Sequence, residues 1–203
     1  MLSLMVIIPF VILAVVWTQL PESVPIHWDA AGKADGYGAK SSLLWLAALP
    51  LFIVAVFFFI KKVDPKQKLQ QMGKKIDALE LILTGLMLAI AVFGIYSSVK
   101  QESSMPSLAI IFGVFFVLLG NYAQTIQPNY FLGVRTPWTL ENDDVWKETH
   151  RFAGRLWMLG GGLLVIFSLV NLEWATSQFF LPLALILALA PVFYSYWVYR
   201  KVK

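Results

Sequence analysis

Residues Leu43–Ile60 read LLWLAALPLFIVAVFFFI and are followed at once by Lys61 and Lys62. These 18 consecutive residues carry no charge and are long enough to cross the hydrocarbon core of a bilayer as an α-helix. Lysines directly after such a run are typical of its cytoplasmic flank. The stretch therefore predicts a membrane-spanning helix with a defined orientation.

Five further apolar runs predict five further spans: Leu2–Thr18, Leu79–Tyr96, Leu108–Tyr122, Phe152–Val170 and Phe179–Tyr199. Of the 203 residues, 59% are apolar and only 14% are charged, whereas about 25% are charged in a soluble domain. We predict an all-α integral membrane protein, with residues 1–203 forming a single six-span domain. The net charge of +4 lies in clusters between apolar runs, so direct contact with nucleic acid is not expected.

The positions of lysine and arginine predict the orientation of these spans. With six spans, 13 of the 16 basic residues fall on one side of the membrane, and Lys33, Lys40 and Lys100 fall on the other. Both termini are therefore expected in the cytoplasm. The basic side would contact anionic lipid headgroups, each lysine contributing about 1 kcal/mol at the surface.

The outer connection runs from Leu20 to Lys40. Alternation of Val24, Ile26 and Trp28 with other residues indicates a short strand. Glycines 32, 36 and 38 are interpreted as turns. We expect this connection to fold onto the outer mouth of the helix bundle.

The inner connection, residues 127–151, is the longer of the two motif-bearing connections. Either Thr139 or Asn142 can cap a helix that continues into the fifth span. Trp146 and His150 lie four residues apart and so share one helix face. For His150, sensing of cytoplasmic pH and a plain interfacial position are both open.

Arg135, between Gly133 and Pro137, allows two interpretations. Its planar guanidinium can bind a lipid phosphate or a partner carboxylate, or it can cap the carbonyls of a span as a structural clamp. Trp138 and Trp146 are either headgroup anchors or one wall of a partner groove.

Several inner stretches together resemble one known family. They are Asn121, Gly133-Val134-Arg135-Thr136-Pro137-Trp138-Thr139-Leu140, Val145-Trp146-Lys147 and Arg151-Phe152. The chain resembles the bacterial sporulation-delaying-protein immunity family, which is called SdpI-like. The outer Leu20-Pro21, Ile26-His27-Trp28, Gly32 and Lys40 resemble an N-terminal module found in many members. Residues 1–60 correspond to that module and residues 107–203 to the immunity-family region.

The resemblance implies a multi-pass protein of the bacterial plasma membrane. We expect a protein that is not an enzyme and has no cofactor, because no Gly-x-Ser-x-Gly motif occurs and no acid or base lies deep in a span. The resemblance further implies protection of the cell from a secreted, membrane-active peptide toxin. In the best-known member it also implies signalling, because the toxin-engaged protein holds a small cytosolic repressor at the membrane.

We expect the toxin-binding or structural residues of the outer connection to be Pro21, Pro25, His27, Trp28, Gly32 and Lys40. The residues expected at the inner motif are Asn121, Gly133, Arg135, Thr136, Pro137, Trp138, Thr139, Trp146, His150 and Arg151.

Two other functions stay open on the sequence alone. The order of spans and connections repeats in spans one to three and four to six, which would make a 3+3 inverted repeat typical of transporters, and a lipid-handling protein is a related alternative. A membrane-embedded metal enzyme would need His27 and acidic residues to converge on an ion. Against that, His27 and His150 are predicted on opposite sides, and the chain has no cysteine.

Overall fold

The computed structural model describes residues 1–29, 33–64, 68–101, 107–170 and 173–202. Its helices are α1 Leu2–Val16, α2 Ser42–Ala47, α3 Leu49–Val63, α4 Lys68–Gln71, α5 Lys74–Lys100, α6 Ser107–Ala123, α7 Pro137–Glu141, α8 Asp143–Leu169 and α9 Glu173–Val202. A 3₁₀ turn, Trp17–Gln19, follows α1, and two strands, β1 Ser23–Trp28 and β2 Ala34–Ala39, lie between α1 and α2.

Four of the described helices are long and apolar enough to cross a membrane: Leu2–Gln19, Lys74–Lys100, Asp143–Leu169 and Gln178–Val202. The predicted helical membrane fold is thereby confirmed. The fourth predicted span corresponds to a shorter apolar helix, Leu108–Ala123. The number of six spans stays a prediction.

The second predicted span, Leu43–Ile60, is interrupted at Ala48 and forms α2 and α3. Pro50 lies in the first turn of α3. Since proline has no N–H, the carbonyl of Leu46, four residues earlier, loses the hydrogen bond that an unbroken helix would give it.

The outer connection folds into an antiparallel hairpin of β1 and β2, as the alternating residues indicated. Glycines 36 and 38 lie inside β2, so their interpretation as turns is wrong. A Cβ on Gly36 would lie 2.9 Å from the Cβ of His27, and one on Gly38 would lie 3.0 Å from Ile26. These glycines let the two strands approach where β1 has register shifts around His27.

Glycines bring α6 and α8 into close contact at two levels. A Cβ on Gly120 would lie 2.6 Å from the carbonyl oxygen of Gly154, and one on Gly113 would lie 2.8 Å from that of Gly161. Such close approach is typical of packing between membrane helices. The α6–α8 pair has the most extensive helix–helix packing in the described chain.

The two motif-bearing connections pack against opposite ends of α5. Val24 and Leu20 of the outer connection share a buried cluster with Ile95. Trp146 shares another buried cluster with Ile76. At about 1.5 Å per residue, Ile76 and Ile95 are about 28 Å apart along the helix, which is close to the hydrocarbon thickness of about 30 Å.

Met1 and the end of α9 lie at the same end of the bundle as the inner connection. Met1 and Lys74 line one surface cavity, which places the start of α1 beside the start of α5. Near the end of α9, Ser195 accepts a hydrogen bond from Trp138 of the inner connection.

The two halves of the chain differ in which helix is central. In the first half, α5 packs against both α1 and α3, whereas in the second half α8 packs against both α6 and α9. The central helix is the third span of one half and the middle span of the other. The inverted repeat therefore stays a prediction without support from this packing.

Candidate functional site

The loop before the inner motif is folded around Asn129, a buried residue. Its Oδ1 accepts hydrogen bonds from the backbone N–H groups of Phe131 (2.8 Å) and Leu132 (2.7 Å). Its Nδ2 donates to the carbonyls of Gln127 (2.9 Å) and Leu132 (3.2 Å). One amide side chain thus satisfies backbone groups on both sides of a turn and fixes the path of the chain into Gly133.

Gly133 and His150 are in direct contact. Gly133 has φ +103°, a region that favours glycine, and a Cβ there would collide with Nε2 of His150. That nitrogen accepts a hydrogen bond from the N–H of Val134 at 3.0 Å, while Nδ1 lies 2.9 Å from the carbonyl of Trp146. Nδ1 therefore donates and Nε2 accepts, the pattern of a neutral imidazole. His150 is a buried structural link, and nothing in this arrangement favours the pH-sensing interpretation.

Trp146 is completely buried and stacks on His150 with ring centroids 4.1 Å apart. Its Nε1 donates to the carbonyl of Ile126 at 2.9 Å. Since none of its surface is accessible, both alternatives predicted for Trp146, a headgroup anchor and one wall of a partner groove, are wrong. Apolar side chains of α5 and α6 surround the indole, so it is a core residue.

Thr136, Pro137 and Thr139 build the short helix α7. Thr136 is its N-cap, with Pro137 in the first turn, and the Thr136 and Thr139 side chains form a reciprocal capping box. Asn142, one of the two predicted caps, caps α8 by accepting from the N–H groups of Asp144 and Val145. Thr139, the other predicted cap, instead lies inside α7 and completes its capping box.

Trp138 docks α7 onto α9. Its Nε1 donates to Ser195 Oγ at 2.5 Å, and its ring lies 5.2 Å from that of Tyr196. Because Trp138 is only half-buried, part of its ring stays accessible at this end of the bundle.

Arg135 lies on the edge of an apolar cavity of about 390 Å³. The side chain is exposed, and Nη1 donates to the backbone carbonyl of Tyr130. The bond joins Arg135 to the loop that precedes the motif and not to a span carbonyl, so both interpretations of Arg135 stay predictions. The other cavity residues come from α5, α6, α8, α9 and the motif: Leu79, Leu83, Leu119, Ile126, Leu132, Gly133, Val134, Trp157, Ala188 and Val192.

Two residues predicted at the inner motif lie apart from this arrangement. Asn121 is exposed on α6. Arg151 is exposed on α8 and pairs with Glu148 at 2.8 Å. Neither lines the cavity.

The outer residues surround the base of the hairpin. Pro21 and Pro25 line a cavity of about 180 Å³ together with Tyr37 and Ser98. Lys40 pairs with Glu22 at 2.6 Å and lies over the ring of Trp17.

His27 and Trp28 lie further along β1. The exposed His27 has Nδ1 2.5 Å from Asp35 Oδ1. Trp28 packs edge-on against Phe93 of α5, and its Nε1 is buried with no hydrogen-bond partner among the described residues. Gly32, the remaining predicted residue, lies outside the described residues.

The part of the chain that the structure describes holds no group of three His, Cys, Asp or Glu side chains placed to bind a metal ion. The His27–Asp35 pair is a two-residue contact on an exposed hairpin.

Sequence reasoning missed Asn129, Ser195 and Trp157, whose Nε1 donates to the carbonyl of Leu187 at 2.8 Å. Asn129 follows Pro128, a pair that signals a turn, and Ser195 is a lone hydroxyl among aromatic residues. Nothing local distinguishes Trp157 from other tryptophans in apolar helices.

The fold and the inner motif together define the class of protein: a helical membrane protein with an ordered, arginine-bearing loop packed at one end of its helices. Residues 125–195, which contain that loop, match the SdpI/YfhL protein family, and residues 4–56 match a domain of unknown function, DUF1648. Immunity protein SdpI of Bacillus subtilis (strain 168) is 22% identical over 202 residues, which cover 98% of this chain and 94% of the relative. No solved structure gives a significant match. The predicted resemblance to the SdpI-like family is confirmed: residues 125–195 match its family model, and the chain is similar to Immunity protein SdpI over almost its whole length.

Proposed function

We propose that the protein is an immunity protein of the bacterial plasma membrane that protects its cell from a secreted, membrane-active peptide toxin. The observation that carries this proposal is the similarity to Immunity protein SdpI over almost the whole of both chains. The proposed activity is non-enzymatic and uses no cofactor.

The proposed topology has six spans with both termini in the cytoplasm, and residues 1–203 form one membrane domain. The proposal divides it into an N-terminal module, residues 1–60, and an immunity-family region, residues 107–203. The topology is supported by the distribution of charge. Basic residues cluster at the end of the bundle that holds Met1 and the end of α9: Lys61, Lys74, Arg135 and Arg200. Basic residues mark the cytoplasmic side of a membrane protein.

The outer hairpin and the adjacent helix end are the proposed contact for the toxin. On the hairpin, Ile26 exposes 50% of its surface and Tyr37 exposes 58%. On the adjacent helix α2, Trp45 exposes 80%. Among the described residues the sheet has two strands, so each of them has one edge without a strand partner there. Apolar side chains beside a strand edge suit an extended or amphipathic peptide.

In this proposal the segment from Arg135 to Arg151 stabilises the bundle and, in relatives that signal, presents a docking surface to a cytosolic repressor. Its support is the arrangement of buried and exposed residues. The Asn129, Gly133, His150 and Trp146 contacts are internal, whereas Arg135, Lys147 and Arg151 are exposed at the same end.

No specific observation favours transport or lipid handling as the main activity. A transport path would need a continuous polar cavity between the two motif connections. The cavity under the inner motif and the one beside the hairpin share no residue, and the lining of the former is apolar apart from Arg135.

The test is a toxin-sensitivity assay in the organism that encodes the protein. Cells that lack the gene are challenged with the secreted peptide encoded beside it, and survival is compared after complementation. We expect the wild-type gene to restore survival. We expect Ile26→Asp/Tyr37→Asp to restore it poorly at an equal membrane level, while Ser41→Ala, at an exposed polar position beside the hairpin, restores it fully. If the deleted strain survives as well as its parent, the immunity proposal is wrong.

A further inference from the structure

We infer that the cavity beneath the inner motif binds an anionic phospholipid, with an acyl chain in the apolar cavity and the phosphate on Arg135. The inference concerns a binding site that is separate from the proposed toxin contact, and it does not depend on the immunity function.

The cavity has the size and the lining of a ligand site. Its volume of about 390 Å³ lies within the range of about 300–1,000 Å³ found for small-molecule pockets. Leucines from α5 and α6, Trp157 from α8 and Val192 from α9 form its walls. An apolar cavity of this kind offers water few hydrogen-bond partners, so a hydrocarbon chain is the favoured occupant.

Arg135 is the charged residue on the lining, and its position suits a phosphate. Nη1 is held by the carbonyl of Tyr130, which fixes the orientation of the guanidinium at the cavity edge. A guanidinium has five N–H donors in a planar fork, so one bond to a carbonyl leaves donors for a second acceptor. Such forks bind phosphate through paired, charge-assisted hydrogen bonds.

The combination of an apolar cavity and an arginine on its edge selects an amphiphile over a free anion. An inorganic phosphate would satisfy Arg135 and leave the apolar walls unfilled. A phospholipid supplies both parts from the surrounding bilayer.

Charge at this end of the bundle favours anionic lipids over zwitterionic ones. Lys74, Lys75, Lys147 and Arg151 are exposed at this end. Basic clusters at a membrane surface attract anionic lipids. Arg135 differs from those residues in that its guanidinium lies over a cavity able to take the chain.

The experiment measures binding and thermal unfolding of the full-length protein purified in a neutral detergent. The probes are phosphatidylglycerol, phosphatidylcholine with the same chains, and inorganic phosphate. We expect saturable stabilisation by phosphatidylglycerol, weaker stabilisation by phosphatidylcholine, and none by millimolar phosphate. Stabilisation by phosphate equal to that by phosphatidylglycerol would show an anion site only and would overturn the inference.

Two variants and one control locate the site. Arg135→Gln should weaken phosphatidylglycerol binding about tenfold, the loss expected for one charge-assisted hydrogen bond. Ala188→Phe fills the cavity and should abolish stabilisation by both lipids without lowering the melting temperature in detergent alone. Arg155→Gln removes an exposed arginine outside the lining and should bind lipid like the wild type.

Equal losses in Arg135→Gln and Arg155→Gln would mean a general surface attraction and would overturn the inference. If Arg135→Gln does not fold, native mass spectrometry of wild-type protein and Ala188→Phe gives the same decision. Phosphatidylglycerol retained by the wild type and lost from Ala188→Phe supports the site, whereas equal retention contradicts it. A cavity variant that loses lipid selectivity but keeps full toxin resistance would show that the lipid site is independent of the proposed immunity function.

Discussion

Four hydrogen bonds connect the side chain of Asn129 to the backbone around it, and they determine how the chain enters Gly133. The glycine in turn makes room for His150, whose ring holds the N–H of Val134. The exposed Arg135 side chain therefore projects from a loop whose preceding residues are fixed from inside the protein. These contacts hold the backbone before Arg135 in one conformation, so the guanidinium of Arg135 keeps a defined position.

Replacement of Asn129 by alanine should destabilise the protein. The N–H groups of Phe131 and Leu132 would lose their acceptor, at a cost of about 1–3 kcal/mol each if they stay buried without water. Chemical or thermal unfolding in detergent checks the change. Asn121→Ala is the matched control, since Asn121 is exposed on α6, and it should alter stability by less than about 0.5 kcal/mol. Equal effects of the two substitutions would contradict the role given to Asn129.

At the residue scale the sequence predicted local capping better than burial. Asn142 was predicted as a cap because an Asn before acidic residues is a local signal. Trp146 was misjudged because its burial depends on Ile76 of α5, about 70 residues earlier in the chain. The Pro128-Asn129 pair signals a turn, but the four hydrogen bonds that make Asn129 important are visible only in the structure.

At the element scale, the close contact between α6 and α8 depends on glycines of both helices. Gly113 and Gly120 on α6 face Gly161 and Gly154 on α8, with a spacing of seven residues on each helix. Antiparallel neighbours with small residues at this interval approach closely along one stripe. The sequence predicts which segments are helical, but the faces that meet depend on three-dimensional packing.

Gly161→Ala should weaken the α6–α8 contact. The added Cβ would lie 2.5 Å from the carbonyl oxygen of Gly113, so the helices must separate, at a cost of about 1–3 kcal/mol. The adjacent Gly162→Ala is the control, because nothing lies within 4 Å of a Cβ there, and alanine favours helix formation. Melting temperatures of the two variants give the comparison. A loss of stability in Gly162→Ala as large as in Gly161→Ala would contradict the assigned interface.

An ion pair joins the end of α3 to the start of α5. Lys61 Nζ lies 2.7 Å from Glu80, which is buried, and 3.0 Å from Asp77. Burial lowers the pKa of Lys61, but its hydrogen bonds to Glu80 and Asp77 raise it by more, so the net pKa is above the ordinary 10.5. A raised lysine pKa stabilises the fold below the unfolded value, and that contribution disappears only as the pH rises through the folded pKa. The pair is therefore intact throughout the neutral range.

Lys61→Met should lower stability because it leaves Glu80 buried without its cation, at a cost of about 1–3 kcal/mol. The double variant Lys61→Met/Glu80→Gln should recover part of that loss. The control is Lys62→Met, at an exposed neighbouring position. The cost should be the same at pH 6.5 and pH 8.5, since both lie below the pKa of Lys61. Additive losses in the double variant would mean that the pair is not coupled.

At the scale of the whole molecule, α5 sets the distance between the two motif connections. Its 27 residues extend from the lysine-rich end to the hairpin end, and each end has its own buried cluster. The sequence predicted this separation from the placement of basic residues between apolar runs. It did not predict the break at Ala48 or the glycines inside β2, because both depend on close contacts between segments.

In the proposed topology the hairpin and the inner motif face opposite sides of the membrane. The chain has no cysteine, so single cysteines can be introduced without background labelling. The two positions chosen are exposed: Ser41 lies beside the hairpin, and Glu141 lies at the end of α7. The variants are Ser41→Cys and Glu141→Cys. A membrane-impermeant maleimide added to intact cells should label Ser41→Cys at once and Glu141→Cys only after the cells are permeabilised. Labelling of both positions in intact cells would contradict this topology.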